Sequence, residues 1–307
     1  LRWILANVTP LQRYIAEEIA TDHADGLLTR REALRRLSLL GIGTAAASAL
    51  IVACSQRQKA QTTSPVPETA TGTTQPPGMS AALPTSPITW AGPQGQLQGA
   101  WAQPASPKGA VLVIHENKGL NDWVRSVAGR LAGAGYAALA IDLLSEEGGT
   151  GGFQDPAQAT AALGKIAPER FTRDLNSGVA ELKSRVPGQK VGVVGFCFGG
   201  GLVWQLLGSG APGASAAVPF YGPLPDNPDF AGSKAAVLAI YAALDSRVTG
   251  SQPAAKAALD RAGLVNEIVI EPNADHAFFN DTGPRYNAAA AADSWQRLLD
   301  WFGRYLA

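Results

Sequence analysis

Beyond residue 86 the chain alternates short unbroken apolar runs with stretches whose apolar residues recur at helical spacing. The run Ala110–His115 carries no polar residue before its end, the mark of a strand buried on both faces of a sheet. Tyr136–Ile141, Lys190–Gly195, Ala214–Phe220, Ala236–Tyr241 and Glu267–Ile270 are predicted as further strands. Helices are predicted over Asp122–Ala134, with Asn121 as N-cap and Gly135 at its end, and over Phe171–Val186. Others run from Gly200 to Leu207, over Pro253–Ala262 and from Tyr286 to Tyr305. A hairpin of Ile88–Ala91 and Leu97–Trp101, turning through Gly92-Pro93-Gln94-Gly95, opens the region. Strands and helices in alternation predict an α/β fold, a mainly parallel central sheet covered by helices on both faces. One folded domain over residues 87–307 follows, with no internal repeat.

The first 86 residues have a different texture. Residues 1–54 read as a leader, amphipathic up to Leu28 with no partner element nearby. Thr29-Arg30-Arg31-Glu32 then precedes an apolar run from Leu37 to Ala53 that is rich in Ala and Gly. A basic stretch, an apolar core and small residues at its end predict an export signal. The paired arginines resemble a twin-arginine (Tat) signal, and Ile51-Val52-Ala53-Cys54 resembles a lipoprotein cleavage box in which Cys54 takes the lipid. The chain is therefore expected to be exported across the bacterial cytoplasmic membrane to the periplasm or cell envelope, with lipid anchorage to a membrane through Cys54. A membrane-spanning anchor or a plain buried helix is the alternative, although the run is short of the about 20 apolar residues that a bilayer requires. Residues 55–86, rich in Pro, Thr and Ser, bury too little to offset their ordering entropy and are predicted as a flexible linker.

Composition narrows the function classes. Hydrophobic residues make up 46% and charged residues 16%, ample for a core, while Lys+Arg and Asp+Glu balance at 25 each. Neither a nucleic-acid partner nor an acidic solvating tail is implied. The two cysteines, Cys54 and Cys197, sit in unlike settings and do not make a disulfide framework. Without a clustered His/Cys ligand set, no metal and no cofactor are expected.

The sharpest motif is Gly195-Phe196-Cys197-Phe198-Gly199-Gly200, between a predicted strand and a predicted helix. It has the form of a nucleophile elbow with Cys in the Ser position. Gly195 and Gly199 suit a turn where backbones pass closely, and the helix N-terminus favours a thiolate and an oxyanion. A buried, inert Cys is the plain alternative. Asp245 follows the strand Ala236–Tyr241, and His276 lies in a loop after the last strand. Nucleophile, acid and His thus arrive in the chain order of this elbow's fold, with His276 as base and Asp245 holding its tautomer. Asp275 and Asp281 compete for the acid role, and Asp245 could equally be a turn cap. Of the other histidines, His23 lies in the leader and His115 ends a core strand.

His115-Glu116-Asn117-Lys118-Gly119, the elbow, Asp245 and His276-Ala277-Phe278-Phe279-Asn280 together resemble the dienelactone hydrolase (carboxymethylenebutenolidase) family, from Ile88 to Ala307. The resemblance implies an α/β-hydrolase fold and a small-molecule ester or lactone substrate. It implies that Glu116 contacts the thiol and helps to ionise it, and that the backbone N–H groups of Phe198 and Asn117 form the oxyanion hole. In the family one substrate-binding arginine lies a few residues after the His, where this chain has Asn280; Arg285, Arg173 and Arg170 are the candidate substitutes, each otherwise a solvated helix arginine. Two other readings stay open: a carboxylesterase of broader specificity, and a non-catalytic envelope lipoprotein on the same scaffold.

Overall fold

A computed structural model describes residues 8–61 and 75–307. Three helices come first: α1 (Pro10–Ala24), α2 (Arg30–Leu39) and α3 (Thr44–Gln61). Strands β1 (Ser86–Ala91), β2 (Gln96–Ala102) and β3 (Ala110–Ile114) follow, then α4 (Asp122–Gly133), β4 (Ala137–Asp142) and α5 (Pro156–Leu163). Next come α6 (Pro168–Arg185), β5 (Val191–Phe196), α7 (Phe198–Gly208), β6 (Ala214–Phe220) and β7 (Ala236–Ala242). The chain closes with α8 (Ser246–Thr249), α9 (Gln252–Arg261), β8 (Asn266–Glu271) and α10 (Ala288–Tyr305).

The eight strands form one sheet in the order β1-β2-β4-β3-β5-β6-β7-β8. The first hairpin is antiparallel and β2 meets β4 antiparallel, whereas every pairing from β4 to β8 is parallel. Every residue of β3, β4, β5 and β7 is buried, which is why these strands read as unbroken apolar runs. Helices α4 and α10 approach each other on one face, and α6 and α7 pack together on the other. This is the α/β fold expected, and the predicted elements of the domain reappear with their ends moved by a few residues. Asn121 caps α4 by accepting from the Val124 N–H at 3.1 Å.

The N-terminal region departs from the sequence reading. The helices α1, α2 and α3 pack together, burying Ile15, Ile19, Leu37, Leu50 and Ile51, and α2 also lies against α5. Helix α1 starts at a capping box, in which Thr9 and Gln12 each accept from the other's backbone N–H. Its partner, absent from the sequence reading, is the folded domain. Helix α3 continues seven residues past the buried Cys54, and Leu83 donates to the Gly129 carbonyl at 2.9 Å. The linker predicted for 55–86 is thus helical at its start and docked near its end; residues 62–74 lie outside the described residues. Among the described residues no helix is long and apolar enough to cross a membrane.

Candidate active site

Four of the candidate side chains sit just beyond the C-terminal ends of parallel strands, the edge where ligands bind in sheets of this kind. Cys197 follows β5, Glu116 follows β3 and Asp245 follows β7, while His276 lies in the loop after β8. Cys197 has φ +56° and ψ −117°, a backbone conformation that a non-glycine residue adopts only when its surroundings force it. The surroundings do so through close packing. A Cβ on Gly195 would stand 2.2 Å from the Gly199 carbonyl oxygen, and one on Gly199 would stand 2.5 Å from that of Ile114. The turn therefore lifts the Cys197 thiol above the sheet at the first turn of α7.

His276 Nδ1 lies 2.6 Å from Asp245 Oδ2. An ionised carboxylate only accepts, so Nδ1 carries the proton and Nε2 faces the thiol side. Asp245 also accepts from the Val248 N–H at 3.3 Å, so it caps α8 while holding the histidine. The competing acids are engaged elsewhere. Asp281 pairs with the buried Arg130 at 2.6 Å and accepts from the Trp123 indole, and Asp275 accepts from the His276 backbone N–H. His115 is structural: Nδ1 donates to the Glu116 carbonyl at 2.6 Å and Nε2 accepts from the Leu143 N–H at 3.2 Å.

Charge and burial oppose each other throughout the site. Burial pushes the Asp245 carboxyl up, but His276 and Arg247 outweigh it and hold it at about 2. Burial pushes His276 down, yet the adjoining Asp245 carboxylate keeps it above its ordinary value. The Cys197 thiol is pushed well above its ordinary value, by burial first and then by the carboxylates of Glu18 and Glu116. Glu116 is itself raised by burial; Asn280 Nδ2 donates to its Oε2 at 2.8 Å and its Oε1 has no hydrogen-bond partner.

The three candidate arginines fare differently. Arg285 lines a cavity of about 240 Å³ together with Glu18, Glu116, Asn117 and Lys118. Arg170 does not; it is tied to Glu147 at 2.5 Å, to Glu146 at 3.3 Å and to Asp174 at 3.4 Å. Arg173 is exposed and donates to the Gln94 side chain at 3.2 Å.

Three residues that the sequence did not single out lie against these groups. The Tyr14 hydroxyl lies 3.2 Å from Cys197 Sγ and 3.3 Å from His276 Nε2. The Glu18 carboxylate oxygens lie 3.4 and 3.5 Å from Sγ, one turn along α1. The Arg247 guanidinium stacks 4.7 Å over the Tyr14 ring and approaches Asp245 Oδ1 at 4.0 Å. Tyr14 and Glu18 stand four residues apart on one helix face, a spacing legible in the sequence, but nothing in it names a partner about 180 residues away. Ligand atoms of Glu18, Cys197 and His276 lie within 4.8 Å of one another, close enough to share a divalent ion. The Arg247 guanidinium beside them works against an added cation. What the set can do without one is transfer an acyl group through a thiol, with an imidazole held in a fixed tautomer.

Comparison with known proteins returns relatives of one kind. The sequence model described as "Dienelactone hydrolase family" matches residues 97–306. A protein of Salmonella typhi, provisionally named carboxymethylenebutenolidase, is 35% identical over 222 residues, covering 67% of this chain and 82% of its own. The crystal structure of a provisionally assigned dienelactone hydrolase from Klebsiella pneumoniae superposes with a TM-score of 0.63 at 30% identity, covering 73% of this chain and 100% of that one. A dienelactone hydrolase-like promiscuous phosphotriesterase from metagenomic libraries gives the same TM-score at 26% identity, covering 74% of this chain and 100% of its own.

Proposed function

Because the chain belongs to the dienelactone hydrolase family, an enzyme family of ester hydrolases, we propose that it cleaves a carboxylic ester or lactone through Cys197, with His276 as general base and Asp245 orienting it. The observation that carries this reading is the 2.6 Å contact of His276 Nδ1 with Asp245, set beside a cysteine on a strained strand-to-helix turn. His276 Nε2 takes the thiol proton as Sγ attacks the carbonyl carbon. The backbone N–H groups of Phe198 and Asn117 receive the oxyanion. Collapse expels the alkoxide, which takes the proton from His276 and leaves a thioester on Cys197. Water, deprotonated by His276, then attacks the thioester and releases the carboxylate and the thiol. Glu116 is buried and hydrogen-bonded to Asn280 rather than to the thiol, on which it acts through its charge.

Asn280 favours a second reading of the substrate. It is spent on Glu116, at the position where the family places an arginine for anionic lactones, so neutral esters are the wider class. The paired arginines and the Ala-rich apolar run after them support export of the chain, and processing at the cleavage box would leave Cys54 as the lipid-bearing residue and take α1 away with the leader. The test is a panel of chromogenic esters with anionic and neutral lactones, run on the intact chain beside Cys197→Ala. The expected result is turnover that disappears in the variant, with a thioester mass on the peptide containing Cys197. Turnover that survives the substitution overturns the reading, and the preferred substrate separates lactones from general esters.

A further inference from the structure

Ester hydrolysis does not account for the contact between α1 and the thiol. Cys197 is 1% exposed and His276 5%, so neither is open to a molecule arriving from solvent. A carbonyl carbon has to come within roughly 3–3.5 Å of its nucleophile. That shell around Sγ already holds the Tyr14 hydroxyl at 3.2 Å and the Glu18 oxygens at 3.4 and 3.5 Å. Resting on the reading of Cys197 as the nucleophile, we propose that α1 is an intramolecular plug, with the Glu18 carboxylate standing where the carboxylate product would lie, and that the chain is latent until α1 leaves the site.

Hydrolysis ends with a carboxylate beside the thiol and the imidazole. Glu18 occupies that place, next to Sγ and 4.0 Å from His276 Nε2. The helix is held by complementary charge. Asp22 and Asp25 pair with Arg285 at 2.8 and 2.5 Å, and Arg247 stacks over Tyr14. Two hollows flank α1, one of about 240 Å³ reached by Glu18 and Arg285, the other of about 690 Å³ reached by Tyr14 and Arg247. Neither is lined by Cys197 or His276, so the helix divides a trough that would otherwise run across the thiol. A helix that served the reaction would leave a path to Sγ. Glu18 also acts against the nucleophile, since a carboxylate at this distance disfavours the thiolate. The segment is additional to the family's shared portion, which begins at residue 97.

The test uses the intact chain and two variants. Asp22→Ala/Asp25→Ala removes the anchors on Arg285 and touches no reacting atom; Tyr14→Ala/Glu18→Ala removes the groups over Sγ. Alkylation of Cys197 by iodoacetamide is followed by peptide mass mapping, which separates it from Cys54, alongside turnover of a chromogenic ester. Both variants are expected to alkylate and to turn over about ten-fold faster or more, as when a closed state loses its hold on an equilibrium. Alkylation unchanged in both variants overturns the plug. So does faster alkylation with lost turnover in Tyr14→Ala/Glu18→Ala alone, because these side chains would then be part of the reaction. Faster alkylation in both with no turnover in any form leaves the plug standing and defeats the hydrolase reading instead.

Discussion

For Cys197 the deciding question is which neighbour controls its proton. Two carboxylates, from Glu18 and Glu116, act on it in a site closed to water, and each makes the thiolate costlier. Glu18→Gln keeps the shape and removes one charge, so the pH profile of Cys197 alkylation should move to lower pH. A profile that stays in place would mean that Glu18 does not set the thiol, leaving burial and Glu116 to do so. Asp245 titrates in the opposite sense. The fold lowers it from 3.8 to about 2, so its contribution is fully present above pH ~4 and is lost as pH falls through 2. The shift corresponds to about 2 kcal/mol. Urea unfolding of the native chain against Asp245→Asn should show a stability gap that closes by about this amount between pH 5 and pH 2. Cys197, Asp245 and His276 were legible because each lies at a strand end in the chain order of one known elbow. Tyr14 and Glu18 were not, because an aromatic and an acid one helical turn apart look like any amphipathic face.

At the scale of elements, the buried strands were readable because burial on both faces removes polar residues from a run. Helix α5, PAQATAAL, escaped prediction because it is short and Ala-rich, with little contrast between its faces. Helix α8 is four residues long and exists largely because Asp245 caps it. The elbow is where close packing of elements is tightest, and it predicts a contrast between two glycines. In Gly199→Ala the new Cβ meets the carbonyl oxygens of Ile114 and His115 at 2.5 and 2.6 Å, backbone atoms that can move only by parting α7 from β3. A loss of about 1–3 kcal/mol is expected, with weakened Cys197 reactivity. Gly303 is exposed near the end of α10, and its Cβ would meet nothing nearer than the Tyr136 hydroxyl at 4.0 Å. Gly303→Ala should therefore stabilise the chain by about 0.5–1 kcal/mol through helix propensity. Thermal unfolding of the two variants checks both signs at once.

For the whole molecule, sequence alternation gave the layers but not how the leader sits on them. Strand order and the docking of α1, α2 and α3 depend on contacts far apart in the chain, and the paired arginines and apolar run of residues 1–54 read as an export leader equally well with or without a docking surface. The forces that hold the leader helices down are of two kinds and respond differently to salt. Apolar packing of Ile15, Ile19, Leu37 and Leu40 is insensitive to screening. The ion pairs of Arg285 with Asp22 and Asp25, and of Arg35 with Asp155, are partly exposed and lose strength as the screening length falls from about 10 Å at 0.1 M to about 3 Å at 1 M. If α1 is poised by charge over an apolar base, raising sodium chloride from 0.1 M to 1 M should speed Cys197 alkylation several-fold while global unfolding changes little. The same titration on Asp22→Ala/Asp25→Ala should be nearly flat, because the pairs that salt screens are already gone. An equal salt response in both chains would place the hold of the plug elsewhere, in the packing of Tyr14 and Glu18 on the thiol itself.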